Sequence, residues 1–390
     1  MDNGYLNSCD EVAKPLRRRI EPSTRVSPCR RATRRHSWLL FLRHCHIVIL
    51  VNSVVLSGRT VTDGLVVEWF GPASRRTRLI NALLRPVARS IIEVSSVVAR
   101  PWNMRLAAVT DLPGALLRLP PDITVRPVHL PDLDLEWVWR SEANPETADR
   151  AVLYFHGGAF AAGGLRTFRG MAARLSGAVD TPVCMVGFRM LPTPLPAIVD
   201  DGVRAYRYLL SRGFSPDRIV CAGDSSGGGL AFAVLLAARV ADLPLPGGVI
   251  AVSPWADFDC AAKFESPNRR SEVFLSATAM RRLVRRFIVD AGRGLRAASP
   301  VDGELRGFPP VLIQASTSEL LRCDAELMAR RLADAGAVCR LQLWDRQPHS
   351  FPVYGVLPES APALAEMARF VRELPAGRAA PKTDELQENS

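Results

Sequence analysis

Six short, largely apolar runs of strand-like sequence recur between residues 151 and 343, and segments with helical periodicity separate them. The runs are 151–155, 182–188, 218–222, 248–252, 310–314 and 338–343. Strands that are apolar almost throughout are typical of a sheet covered on both faces, which is the usual state of a parallel sheet. Alternation with helices indicates repeated β–α–β units. The sequence therefore predicts an α/β fold with a mostly parallel central sheet flanked by helices.

A serine lies between one of these runs and the helical segment that follows it. The sequence GDSSG at 223–227 matches the pattern G-x-S-x-G, which alone is a weak signal. The apolar run before it and the helix-like segment 230–240 after it place Ser225 on a strand-to-helix turn, as a nucleophile on this pattern requires. Flanking glycines permit such a tight turn. Ser225 is the predicted nucleophile, and a purely structural glycine–serine loop is the alternative.

A second glycine-containing turn, HGGA at 156–159, directly follows the run 151–155. Hydrolysis of an ester builds negative charge on the carbonyl oxygen, and preorganised backbone N–H groups stabilise that charge. Glycines allow the backbone to approach the reacting group closely. The turn is therefore predicted to be an oxyanion loop.

Four motifs occur in a fixed order, and together they are far more specific than any one of them. They are HGGA at 156–159, GDSSGG at 223–228, SPWAD at 253–257 and PHSF at 348–351. On these motifs, residues 149–372 resemble the hormone-sensitive-lipase-like family of α/β-hydrolases, the bacterial type IV esterases. The resemblance implies an α/β-hydrolase fold, with a helical cap supplied by the region before residue 151.

The resemblance also implies roles for residues in the two glycine-containing turns. The N–H groups of Gly157, Gly158 and Ser226 would form the oxyanion hole, and His156 would shape the loop. The chain departs from the family pattern at two of these positions, since Ala159 replaces a usual glycine and Ser226 a common alanine. Both replacements are small and keep their backbone N–H.

The base and the acid are expected after the last two predicted strands, in the order serine, acid, histidine. His349 lies in the loop after the run 338–343 and is the predicted base. Two carboxylates are candidates for the acid. Glu319 matches the position at which the resembled family places its acid, whereas Asp324 is expected to begin a helix and to have a capping or dipole role there. Glu319 is the preferred acid, and Asp324 is the alternative.

This set predicts a serine carboxylic-ester hydrolase that acts through an acyl-enzyme on short- to medium-chain acyl esters, either small molecules or lipids. Such a reaction needs no metal and no organic cofactor. The eight cysteines contain no C-x-x-C pair and no zinc-like cluster with histidine, so no metal site is expected. The alternatives are a non-catalytic ligand-binding protein on the same fold and a membrane-associated protein.

The net charge of +11 is concentrated near the N-terminus, where the first 43 residues contain ten Lys and Arg against four Asp and Glu. No nucleic-acid-binding motif accompanies this charge, so no nucleic-acid partner is expected. The apolar stretch 38–56 is interrupted by Arg43, His44 and Asn52 and is a poor spanning helix. Residues 1–63 are predicted to be a disordered or targeting extension, and residues 377–390 a disordered tail. The protein is expected in the cytoplasm or peripheral to the membrane or cell envelope.

Residues 64–148 are predicted to hold the helical cap and lead-in strands of a catalytic core spanning 149–376, with helix-like periodicity from 64 to 119. Leu79, Leu83 and Val87 form an apolar stripe among several arginines. Such a stripe usually packs on its own domain, and that interpretation is preferred. Peripheral contact with a membrane is the alternative. A second amphipathic segment, 280–288, either borders the acyl pocket or is an ordinary surface helix.

Overall fold

The computed structural model describes residues 55–62, 64–104, 110–112, 114, 119–140, 142–288, 294 and 298–375, and within them ten strands form one sheet. The strands are β1 Val55–Thr62, β2 Leu65–Gly71, β3 Ile123–Leu130, β4 Leu133–Arg140, β5 Ala151–Phe155, β6 Val183–Gly187, β7 Ile219–Asp224, β8 Gly248–Val252, β9 Val311–Ser316 and β10 Cys339–Trp344. Their order across the sheet is β1-β2-β10-β9-β8-β7-β5-β6-β4-β3.

Helices connect most of these strands. They are α1 Arg75–Val98, α2 Pro101–Met104, α3 Leu165–Val179, α4 Leu195–Ser211, α5 Ser226–Val240, α6 Ala261–Glu265, α7 Ala277–Leu283, α8 Arg322–Asp334 and α9 Ser360–Glu373. A π-helical turn over Val284–Ile288 continues α7. None of the helices in the described part of the chain is both long enough and apolar enough to cross a membrane.

The six predicted strands are confirmed as β5 to β10, with ends that differ from the prediction by two residues or fewer. The pairs that link β2, β10, β9, β8, β7, β5 and β6 are all parallel, whereas β1, β3 and β4 pair antiparallel with their neighbours. The prediction of a mostly parallel sheet is therefore confirmed.

The two faces of the sheet are covered by different helices. Along β5, Val152 and Tyr154 pack in a cluster with α3 and α9, whereas Leu153 and Phe155 pack in a larger cluster with α4, α5 and α8. Because successive side chains of a strand point to opposite faces, an apolar residue at every position is buried from both sides. This double burial explains why these strands are apolar throughout.

The N-terminal part of the sheet differs from the expectation. Residues 55–62, which the sequence assigns to an extension, form β1, and residues 65–71, expected to be helix-like, form β2. The helix itself occupies only Arg75–Val98 and the short α2. β2 becomes a strand because it pairs in parallel with β10, a partner that lies 274 positions later in the chain. The rest of the predicted disordered or targeting extension, residues 1–54, and the predicted disordered tail, residues 377–390, lie outside the described residues.

Candidate active site

Ser225 lies between the end of β7 and the start of α5, as the sequence predicts, and its backbone is in an unusual conformation. Its φ is 54° and its ψ is −121°, which side-chain-bearing residues rarely adopt. Its N–H donates to the carbonyl of Val252 at 2.8 Å, and its carbonyl accepts from the N–H groups of Gly229 and Trp255 at 3.1 and 2.9 Å. Surrounding backbone therefore holds the turn in a strained geometry that presents the hydroxyl.

The glycines on either side of Ser225 are required because backbone fills the space that a side chain would need. A Cβ at Gly227 would lie 2.0 Å from the carbonyl oxygen of Phe155, and one at Gly223 would lie 2.4 Å from the carbonyl oxygen of Gly227. Contacts this short force the backbone itself to move. The G-x-S-x-G pattern thus follows from close packing of the turn against β5.

The structure brings Ser225, His349 and Glu319 together as a hydrogen-bonded triad. His349 Nε2 lies 2.8 Å from Ser225 Oγ, and His349 Nδ1 lies 2.7 Å from Glu319 Oε2. The histidine is carried by the loop after β10 and the glutamate by the turn after β9, so both reach the serine from the carboxyl ends of parallel strands. All three side chains are buried.

The carboxylate of Glu319 is fixed by contacts to its second oxygen. Oε1 accepts hydrogen bonds from Ser253 Oγ at 2.9 Å and from the N–H of Ser316 at 2.7 Å, which leaves Oε2 for the imidazole. The hydroxyl of Ser253 in turn accepts from the N–H of Ser350 at 3.1 Å. Ser253 therefore links the acid to the histidine loop. Sequence reasoning did not assign it this role, although it begins the SPWAD motif after β8.

A second buried carboxylate, Glu272, lies near the triad and was not predicted. Its Oε2 accepts from the N–H of Leu320, the residue after Glu319, at 2.6 Å. Its Oε1 accepts from the N–H groups of Phe274 and Leu275 at 2.8 and 3.2 Å. Glu272 thus adds negative charge beside the acid while it holds the turn that carries it.

The net effect of these charges is to favour the protonated form of His349. Burial by itself lowers the pKa of the imidazole, but the hydrogen bond and charge of Glu319 oppose this effect. The charges of Glu272 and Asp224 act in the same direction as Glu319, and the pKa of His349 lies above its ordinary value. The site therefore stabilises an imidazolium, which is what a histidine that accepts a proton from serine requires.

Asp324 does not contact His349 and is bound elsewhere. It lies in the first turn of α8, as predicted, but its Oδ1 is 2.7 Å from Lys263 Nζ, and both side chains are almost fully buried. Its Oδ2 accepts from the N–H groups of Ala256 and Asp257 at 3.2 and 2.9 Å. Asp324 therefore does more than the expected helix-end role, because it forms a buried ion pair that fixes the loop after β8.

Lys263 has a partner for each of its three ammonium protons. Besides Asp324, its Nζ donates to the carbonyls of Asp257 and Asp259 at 2.8 and 3.0 Å. Burial lowers the pKa of the lysine, but the Asp324 carboxylate more than offsets this, so the ammonium stays charged. No sequence signal marked this lysine, because the segment around it, DFDCAAKFE at 257–265, contains three acidic residues and resembles an exposed one.

Gly157 departs from its expected role in the oxyanion hole. Its N–H donates to Asp224 Oδ1 at 2.9 Å, and the same oxygen accepts from the hydroxyl of Tyr154 at 2.7 Å. Burial raises the pKa of Asp224 to about 6. Because this N–H already has a buried acceptor, it is not directed at a reacting ester. A Cβ at Gly157 would lie 2.3 Å from Asp224 Oδ2, so this glycine is needed for packing instead.

The rest of the loop leaves three N–H groups available. Within the described part of the chain, the amides of Gly158, Ala159 and Ser226 have no hydrogen-bond partner. Ala159 has a φ of 56°, and the N–H of the next residue, Phe160, donates to Ser226 Oγ at 3.3 Å. This bond ties the loop to the serine turn. The structure therefore favours Ala159 in the position that the resemblance assigned to Gly157.

His156 is a buried, neutral histidine that supports the loop. Its Nδ1 lies 2.7 Å from the carbonyl oxygen of Gly157, and its ring stacks on Phe188 with the centroids 4.4 Å apart. Burial lowers its pKa, so the ring is uncharged near neutral pH and Nδ1 carries the proton that it donates. This geometry fits the loop-shaping role that the resemblance implies.

The amphipathic segment 280–288 turns its apolar side inward. Met280, Val284 and Ile288 are buried in the main core cluster, so the segment behaves as an ordinary surface helix. Its arginines bind neighbouring elements: Arg282 pairs with Glu93 of α1 at 2.7 Å. A cavity of about 890 Å³ opens between α1 and the start of α7. Its lining includes none of Ser225, His349 and Glu319.

The sequence and the fold of this chain are similar to those of known hydrolases. A family model described as alpha/beta hydrolase fold matches residues 152–353. An acetyl-hydrolase of Streptomyces hygroscopicus is 36% identical over 61% of this chain and 79% of its own length. Esterase LipU of Mycobacterium tuberculosis is 34% identical over 73% of this chain and 98% of its own. A crystal structure of an esterase from the bacterial hormone-sensitive lipase family superposes with a TM-score of 0.67 at 28% identity, covering 78% of this chain and 99% of that one.

Proposed function

The chain belongs to the alpha/beta-hydrolase fold family, among the bacterial hormone-sensitive-lipase-like esterases, and from that premise we propose that it cleaves short- to medium-chain acyl esters through an acyl-enzyme on Ser225. Its relatives are named acetyl-hydrolase and esterase, so its class is that of the carboxylic-ester hydrolases. One observation carries the proposed mechanism: His349 Nε2 lies 2.8 Å from Ser225 Oγ, while His349 Nδ1 lies 2.7 Å from Glu319. These are the contacts that an activated serine needs.

In the first half-reaction, Ser225 Oγ attacks the acyl carbonyl carbon while His349 Nε2 takes the hydroxyl proton. Because Nδ1–H donates to Glu319, the lone pair of Nε2 faces the serine, and the carboxylate stabilises the imidazolium as it forms. His349 then returns the proton to the leaving alkoxide. In the second half-reaction, His349 deprotonates a water that attacks the acyl-serine, and Ser225 is regenerated.

We assign the stabilisation of the negative charge on the carbonyl oxygen to the N–H groups of Gly158, Ala159 and Ser226. Their lack of other acceptors within the described residues supports this role, as does the bond from Phe160 N–H to Ser226 Oγ. Donors fixed in advance cost no reorganisation during the reaction, and removing one typically costs about 10²–10³ in turnover. Gly157 contributes indirectly by anchoring the loop to Asp224.

Labelling with a fluorophosphonate probe tests this function. The probe phosphonylates only an activated serine, so we expect rapid stoichiometric modification and a mass-spectrometric adduct on Ser225. Denatured protein is the control, because it keeps every serine but loses the hydrogen bonds that join Ser225, His349 and Glu319. Hydrolysis of p-nitrophenyl butyrate without any adduct on Ser225 would contradict the mechanism. Binding of esters without labelling or turnover would favour a non-catalytic protein on the same fold.

The pH dependence of kcat/KM follows from the raised pKa of His349. Only the neutral imidazole accepts the proton of Ser225, so activity rises with pH through this pKa, and the midpoint is expected above the ordinary value of 6.5. Glu272→Gln removes one of the charges that raise this pKa and should shift the midpoint to lower pH. The check is a kcat/KM profile for both proteins, with circular dichroism at each pH as the folding control. An unchanged midpoint in the variant would show that Glu272 does not act on the histidine.

A further inference from the structure

The apolar stripe of α1 faces away from the protein, contrary to the preferred sequence interpretation. Its members recur every three or four residues, so they lie along one side of the helix: Leu79, Leu83, Val87, Ile91, Val94 and Val98. Each is between 56% and 66% exposed. A surface helix of a soluble protein ordinarily turns such a stripe toward its core. α1 is therefore turned the opposite way.

Polar contacts on the other side of α1 fix this orientation. They are Thr77 Oγ1 to Glu359 at 2.5 Å, Asn81 Nδ2 to the Arg346 carbonyl at 2.8 Å, Arg89 to the Arg269 carbonyl at 2.7 Å, and Arg282 to Glu93 at 2.7 Å. The four α1 residues recur at multiples of four positions and form the inward face. Rotating α1 to bury the stripe would break all of these contacts. The polar contacts therefore keep the apolar stripe exposed to solvent.

The charge of α1 complements an anionic surface. The helix contains five arginines and a single acidic residue, Glu93, whose carboxylate is already bound by Arg282 and Ser276. Arg75, Arg76 and Arg78 occupy the first turn and are exposed. Cations are unfavourable at a helix N-terminus, so stability of the helix does not explain them. Nearby in α2, Trp102 is 70% exposed, and tryptophan is enriched at the boundary between lipid and water.

We propose that α1, together with Trp102, is an interfacial helix that binds the enzyme to anionic lipid bilayers. An amphipathic helix with basic residues and exposed aliphatic and aromatic side chains lies flat at the headgroup boundary, with its apolar side among the acyl chains. A second copy of the chain fits this surface less well, because its own α1 carries the same positive charge. The proposal concerns binding and does not depend on the chemistry of Ser225.

This position of α1 has a consequence for the active site. Asn81 binds the carbonyl of Arg346, in the loop that leads to His349, and Arg89 binds the carbonyl of Arg269. The neighbouring Asn268 donates to the carbonyl of Glu319 at 2.9 Å. α1 thus lies on the loop that carries the base and is linked through the 268–269 turn to the acid. Docking through α1 would place that side of the enzyme against a bilayer in which acyl esters dissolve.

Vesicle flotation of the full-length chain tests the proposal. We expect the protein to float with phosphatidylcholine vesicles that contain phosphatidylglycerol, to bind pure phosphatidylcholine more weakly, and to lose the difference as salt is raised. Leu83→Gln combined with Val87→Gln should weaken binding at least about tenfold, since two apolar side chains no longer enter the bilayer. Arg75→Gln, Arg76→Gln and Arg78→Gln together should remove the preference for the anionic lipid.

The matched control is Val240→Gln with Val338→Gln, two valines outside α1 that are 86% and 62% exposed. This control should bind vesicles like the wild type, and all the variants should keep their melting temperature and their turnover of a water-soluble short ester. Three results would overturn the proposal: no flotation of the wild type with anionic vesicles, equal binding by the stripe variant and the control, or a wild-type dimer in light scattering that the stripe substitutions convert to a monomer. A protein that floats but hydrolyses no ester would instead contradict the proposed function alone.

Discussion

Replacing Ser225 with alanine is expected to lower kcat for a short p-nitrophenyl ester by roughly 10⁵–10⁶-fold, and His349→Ala should do nearly the same. Each change removes one half of the 2.8 Å contact through which the nucleophile is activated. The double variant should fall little further, because the two residues act as a unit. Steady-state kinetics with purified protein measure these losses.

Ser226→Ala is the matched control for Ser225→Ala. It removes a hydroxyl from the next residue but keeps the backbone N–H that is assigned to the oxyanion hole, and it loses only the acceptor of the Phe160 N–H. We expect its activity to stay within about tenfold of the wild type, which is the scale of one modest hydrogen bond. Ser225→Ala keeps its Cβ in the same backbone conformation, so its melting temperature should hardly change. Substantial turnover in folded Ser225→Ala would disprove its assignment as nucleophile.

A pair of carboxylate-to-amide substitutions five residues apart should have opposite effects. Glu319→Gln preserves the size of the acid but removes the charge that stabilises the imidazolium, and we expect kcat to fall by about 10³–10⁴-fold with little loss of stability. Asp324→Asn instead leaves the Lys263 ammonium buried without its counter-charge. That change should lower the free energy of unfolding by roughly 3–5 kcal/mol, while kcat stays near that of the wild type wherever the protein is folded.

Kinetics and thermal unfolding of both variants distinguish these two roles. Lys263→Met combined with Asp324→Asn provides a further control, since it removes both charges, keeps an acceptor for the backbone N–H groups of Ala256 and Asp257, and should destabilise the protein less than Asp324→Asn alone. If Asp324→Asn were inactive at an unchanged melting temperature, and Glu319→Gln were active, the acid would be Asp324 after all. The hydrogen bond from His349 to Glu319 makes the opposite result the expected one.

The features that the sequence predicts well are those encoded by neighbouring residues. The six buried strands depend on short apolar runs, and the turn at Ser225 depends on glycines within two positions of it. His349 is then expected in the loop after the last predicted strand, and the family resemblance selects Glu319 after the strand before it. These predictions need no knowledge of how distant side chains are oriented.

The features that it does not predict depend on contacts between distant positions. Gly157 loses its expected role because the side chain of Asp224, 67 positions later, turns back to accept its N–H. Periodicity identifies the apolar stripe of α1 but not the direction it faces, which is set by partners such as Glu359, 282 positions from Thr77. Glu272 and Lys263 likewise resemble ordinary surface residues until their buried partners are known.

The pairing of β2 with β10 determines when the enzyme can finish folding during its synthesis. Leu65 pairs with Cys339, so the β1–β2 hairpin has no partner in the sheet until the ribosome has passed the far end of β10. At ~5–20 residues per second, that interval lasts roughly a quarter of a minute to a minute. A lone two-stranded hairpin is marginally stable, and its unpaired edge can recruit other nascent chains. The loop with His349 emerges directly after β10, so β2 gains its second partner strand in the same late step of translation that supplies the catalytic base.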